Sequence, residues 1–111
     1  LFPVPAERFP SHLAFAPLDA DATTAVAGFA VRPVEVAHPG GAFGFHVTDP
    51  ATGRGVAYLP DDELAAVEGV CGGRRALLEA IAGAELLVHD ATYLPAELPA
   101  RRGWGHSSYA E

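Results

Sequence analysis

Apolar residues alternate with small or polar ones along three consecutive stretches, a period-two pattern that predicts strands. Phe29, Val31, Val34 and Val36 mark the first, with Pro33 interrupting it in a way that suits an edge or a bulge. Phe43, Phe45 and Val47 alternate with Gly44 and His46 in the second, over 42–47, and Gly55-Val56-Ala57-Tyr58-Leu59 is the third. Turn chemistry separates them, first His38-Pro39-Gly40-Gly41 and then Asp49-Pro50-Ala51-Thr52-Gly53. Strands linked this closely predict an antiparallel meander. Ahead of it, the proline-bearing residues 1–12 read as an extended connector, 13–16 as a short strand and 19–24 as a polar turn.

After Asp61 the period changes. Leu64, Val67, Leu77, Leu78 and Ile81 recur at helical spacing, broken by Gly69 and Gly72-Gly73, and the firmest helix is expected over 74–82 with Gly83 as its C-cap. Leu86-Leu87-Val88 predicts a short, fully buried strand, and Pro95 and Pro99 punctuate the loop after it. Ser108-Tyr109-Ala110-Glu111 has the form of a capping box, so a helix is expected to start there. A helix opening on the final residues, together with a first residue other than Met, suggests a piece of a longer chain.

Composition narrows the function. At 111 residues the chain allows one small domain, and its formal charge is −7 with arginine as the only permanent cation. No useful basic patch can be assembled from that balance, which argues against non-specific binding to nucleic acid or to an anionic membrane. The single cysteine, Cys71, excludes an internal disulfide, reads as a small structural residue and fits a reducing compartment, hence the cytoplasm. No apolar run approaches the ~20 residues that span a bilayer, and no signal peptide is visible.

Candidate chemistry gathers at the ends of strands. His38 closes one strand, Asp61 and Asp62 follow another, and His89-Asp90 follow the third apolar run. Taken singly, His38 fits a turn residue, and the aspartates at 61 and 62 fit a helix N-cap and first turn. Asp90 is harder to set aside, because a carboxylate at the carboxyl end of a buried strand lies where open α/β sheets place ligands. His106 lies in a loop between Gly105 and Ser107, while His12 and His46 read as structural.

In sequence order, His38-Pro39-Gly40-Gly41 with Gly44-Phe45, Tyr58-x-x-Asp61, His89-Asp90-Ala91-Thr92-Tyr93 and Gly105-His106-Ser107-Ser108 resemble the second half of the metallo-β-lactamase superfamily. The closest look is to the branch that contains the tRNA 3′-end endonuclease RNase Z and related phosphodiesterases. The resemblance implies an α/β (α+β) chain forming part of an αββα fold, with residues 1–111 as the C-terminal portion of an incomplete domain. The superfamily's HxHxDH motif, which supplies most of its metal ligands, is absent from these residues.

The resemblance also implies roles. His38 would be a metal ligand and Asp61, favoured over Asp62 by its spacing from Tyr58, would bridge two metals. Asp90 would orient and polarise His106 for proton transfer, standing where the family has a glutamate one methylene longer, and His89 would be a structural partner in its strand. The implied cofactor is a divalent metal pair, zinc with manganese or iron as alternatives. Such ions, about 3.5–4 Å apart, polarise an ester and lower the pKa of bound water to about 7. The expected substrate is a small or nucleotide-like phosphoester rather than a nucleic acid, the expected partner a second copy at most, and the isolated segment is expected to bind metal weakly and to be inactive. A rival is a non-catalytic binding or scaffold domain of the same fold; a standalone β-rich domain with incidental His and Asp residues is another.

Overall fold

The computed structural model describes residues 5, 8–19, 22–70 and 72–111, so Cys71 and part of the N-terminal connector lie outside the described residues. Among these the chain forms one five-stranded sheet in sequence order, β1 (Thr24–Val26), β2 (Phe29–Val36), β3 (Ala42–Thr48), β4 (Gly55–Leu59) and β5 (Leu86–His89). The first four strands are the expected antiparallel meander, with β1 added, and β5 lies parallel to β4. Ala27 (φ 50°) and Gly28 (φ 88°) turn β1 into β2, the paired positive φ angles that match a two-residue hairpin to strand twist. Pro33 sits beyond the last residue of β2 that β1 reaches, so its missing N–H breaks no ladder on that side.

The link from β4 to β5 carries a 3-10 turn (Leu64–Gly69) and a helix, α1 (Gly73–Ile81), within a residue of the expected helix. Both cover one face of the sheet, where Val34, Val36, Leu59, Val67 and Leu77 form the core with Ala80 and Ile81 against it. Along β4 the pattern is strict, with Gly55, Ala57 and Leu59 buried and Val56 and Tyr58 exposed. Arg32 and His46 on the covered face both reach the carbonyl of Ala80 in the last turn of α1, where helix carbonyls lack intrahelical donors. His46 is thus anchored through Nδ1, while its buried Nε2 meets no partner among the described residues.

Three sequence expectations give way to the tertiary arrangement. Residues 13–16 form no strand and Phe15 is 84% exposed, so this short apolar run buries too little to be held in a sheet. Leu86, Leu87 and Val88 do form a strand, but they are half exposed rather than buried. The core beneath α1 is built on Val34, Val36 and Leu59 and includes no residue of β5, which is also the last strand of the sheet. Ser108 to Glu111 form a turn; the Glu111 carboxylate does reach back to the Ser108 N–H at 3.2 Å, as in a capping box.

Candidate functional site

Strand direction brings the candidate residues together. Strands β2 and β4 each run antiparallel to β3, and β5 runs parallel to β4, so the carboxyl ends of all three meet on one edge of the sheet. His38 follows β2, Asp61 follows β4 and Asp90 follows β5. The loop after the 3-10 turn Leu98–Arg101 then returns His106 to the same edge. Ser107 fixes that return, donating from Oγ to the Asp62 carbonyl at 2.6 Å and accepting the Leu64 N–H at 3.0 Å.

Asp90 and His106 form the tightest side-chain pair of the site, with Nδ1 2.6 Å from a carboxylate oxygen. That oxygen also accepts the Asp62 N–H, at 3.3 Å, and the other accepts the Thr92 N–H and hydroxyl at 2.8 and 2.7 Å. Four donors thus occupy a carboxylate whose side chain is 1% exposed. Burial alone would push the Asp90 carboxyl up. The Thr92 hydroxyl and His106 outweigh it, assisted by two backbone N–H groups, and the carboxyl is held below its ordinary 3.8. An ionised Asp90 requires His106 to carry its proton on Nδ1, which leaves Nε2 as the nitrogen free to exchange one. The shorter aspartate therefore still reaches.

Asp61 is the opposite case. Its side chain is 54% exposed and approaches His106 Nδ1 at 3.9 Å. Asp61, Asp90 and His106 can each bring one donor atom to within 4.8 Å of the others, a grouping that fits a divalent ion. Four donors already occupy Asp90, whereas Asp61 is the more open of the two carboxylates. His38 packs edge-on to His106 with ring centroids 5.3 Å apart, and its Nδ1 bonds the Gly105 carbonyl at 2.9 Å. That bond assigns the Nδ1–H tautomer and leaves Nε2 with a lone pair, the usual state of a ligating imidazole.

Asp62 does something else entirely. It is fully buried, accepts the Ala37 N–H at 2.9 Å and pairs with His89 Nε2 at 2.9 Å. Neither aspartate caps the following 3-10 turn, whose N-cap position is Glu63 with no side-chain cap bond. His89 also faces the Asp90 carbonyl through Nδ1 at 2.8 Å, so both ring nitrogens meet acceptors and both need protons. Its pKa is accordingly raised above 6.5, chiefly by Asp62, against the opposing effect of burial. The His89–Asp62 ion pair fastens β5 to the turn after β4.

Glu63, Thr92 and Gly105 also build the site and are not evident as candidates in the sequence. The signal for Thr92 was an Asx turn, Asp90 Oδ1 to the N–H two residues on. A side chain at Gly105 (φ 87°) would run into the His38 ring and Pro39, but a lone glycine in a loop does not advertise that.

This is a partial metallo-β-lactamase fold, mixed α and β, carrying His and Asp residues at one sheet edge. Among solved structures, the chain is similar to human tRNase Z, short form, a member of that superfamily, with 26% identity and a TM-score of 0.59. The match covers 78% of this chain and 31% of that one, so the chain spans less than a third of the structure it matches. No family profile matches the sequence, and no curated protein matches it by sequence alone.

Proposed function

We propose that the chain is part of a metal-dependent hydrolase that cleaves a phosphodiester or related ester, with His38 and Asp61 as metal ligands and Asp90 and His106 as the proton-transfer pair. The observation that carries this reading is the 2.6 Å contact between a buried, saturated Asp90 and His106, held beside the exposed Asp61. Oxygen and imidazole donors suit zinc, with manganese or iron as alternatives, and further ligands are needed to complete a pair of ions. A bound divalent ion would supply Lewis acidity and an activated water at neutral pH. His106 contributes a proton from Nε2 to the leaving oxygen. Asp90 holds the ring in orientation through its 2.6 Å contact with Nδ1, so that the proton leaves from Nε2.

Substrate size follows from charge. The neighbour's name refers to tRNA, but the net charge of −7 without lysine on these 111 residues disfavours a polyanion here. A small cyclic or nucleotide-like diester suits the site better. No helix among the described residues is long and apolar enough to cross a membrane.

The test is metal analysis and turnover of bis(p-nitrophenyl) phosphate by the full-length protein, before and after EDTA and on return of zinc, manganese or iron. Activity that EDTA abolishes and one of these metals restores supports the reading. A folded full-length protein without bound metal or diesterase activity refutes it and leaves the scaffold alternative.

A further inference from the structure

Glu63 follows the Asp61–Asp62 pair and is 3% exposed, yet it takes part in none of the ion pairs of the described residues. A carboxylate that deep must be compensated by hydrogen bonds. Its partners are two backbone N–H groups from the opposite loop. Gly103 N–H lies between both oxygens at 2.8 and 2.9 Å, and Gly105 N–H meets one of them at 2.9 Å. The Glu63 N–H in turn donates to the Ala37 carbonyl at 2.8 Å. Gly105 accepts the bond from His38 and immediately precedes His106. One residue therefore ties together the strand end that bears His38, the turn that bears Asp61 and the loop that bears His106.

We propose that Glu63 is a positioning residue for this centre, setting the two imidazoles in register by holding the Gly103–Gly105 backbone. The proposal rests on reading the site as a hydrolytic metal centre. Gly103 and Gly105 both sit at positive φ, 83° and 87°, in a backbone with the wide freedom of glycine, so the loop has little intrinsic preference for this shape. The carboxylate supplies that preference. Both its oxygens receive an N–H, so an isosteric amide cannot replace it, since the –NH2 would oppose a backbone donor wherever it is placed.

The test compares Glu63→Gln with wild type in the zinc-loaded full-length protein, using zinc competition against a chromophoric chelator and bis(p-nitrophenyl) phosphate turnover at saturating zinc. The variant should bind zinc about 10- to 100-fold more weakly, the usual cost of losing a residue that orients a ligand. Its kcat should fall about tenfold or more with KM within about twofold, a split that general destabilisation does not produce. Leu77→Ala, in the core beneath α1, controls for stability and should retain both properties at a comparable loss of Tm. If Glu63→Gln does not fold, Glu63→Asp carries the same expectation, since the shorter chain cannot hold both N–H groups. Wild-type zinc affinity and kcat in the variant, or a parallel fall in Leu77→Ala, overturns the role of Glu63 while the hydrolase reading stands. A wild type that neither binds zinc nor cleaves the diester removes both.

Discussion

Replacing Asp90 with asparagine tests the proton-transfer pair with the smallest change in shape. Asparagine can keep one oxygen on the Thr92 N–H and hydroxyl, which now lie at 2.8 and 2.7 Å. Its amide nitrogen then stands where the other oxygen accepts from His106 Nδ1 at 2.6 Å and from the Asp62 N–H at 3.3 Å. Two donors would face it. His106 can relieve its clash only by moving its proton to Nε2, which ends the Nδ1–H bond to a carboxylate that let the ring take up and pass on a proton at Nε2, and the Asp62 N–H loses its partner. An orphaned buried donor costs about 1–3 kcal/mol of stability. Losing a positioned acid lowers kcat by about 100- to 10,000-fold, or about 3–5 kcal/mol of transition-state stabilisation. A urea midpoint measures the loss of stability, and steady-state turnover of bis(p-nitrophenyl) phosphate by the metal-loaded full-length protein measures the loss of kcat. A folded Asp90→Asn variant within about threefold of wild-type kcat would refute the assignment of Asp90 and His106.

Other expectations follow from the same geometry. Asp61→Asn should abolish or sharply weaken metal binding while leaving stability within about 0.5 kcal/mol, because the side chain is exposed. Asp62→Asn should do the reverse, costing about 3–5 kcal/mol by stranding His89; metal content and urea midpoints of the two variants, if interchanged, would exclude Asp61 as the ligand. Gly105→Ala should displace the His38 ring and weaken zinc binding about 10- to 100-fold, and an unchanged chelator-competition curve would show that His38 is not a ligand. In metal-free protein, the His89 contribution should be complete below pH 6.5 and fade as pH rises through its raised folded-state pKa. The Asp90 contribution should be complete above 3.8 and fade as pH falls through its lowered value. Urea midpoints should therefore be highest between these limits, and a midpoint that does not decline on the alkaline side would rule out the His89–Asp62 pair.

The sequence by itself determined the local structure and the identity of the polar groups. Period-two alternation in β2, β3 and β4 and helical spacing in α1 were legible because each element's neighbours lie close in the chain. Motif order marked His38, Asp61, Asp90 and His106 as candidates, and strand ends placed the first three at one end of the sheet. Tertiary structure alone decided how much cover β5 receives, since an apolar run of Leu86 to Val88 looks the same whether one layer or two pack on it. It also showed what the spacing from Tyr58 could only favour, that of two adjacent aspartates Asp61 turns to solvent and Asp62 to His89. It alone revealed Glu63, because a carboxylate bound only to backbone N–H groups 40 and 42 residues away leaves no trace in composition, periodicity or spacing. Contacts across that separation depend on where the chain returns, which local pattern does not encode.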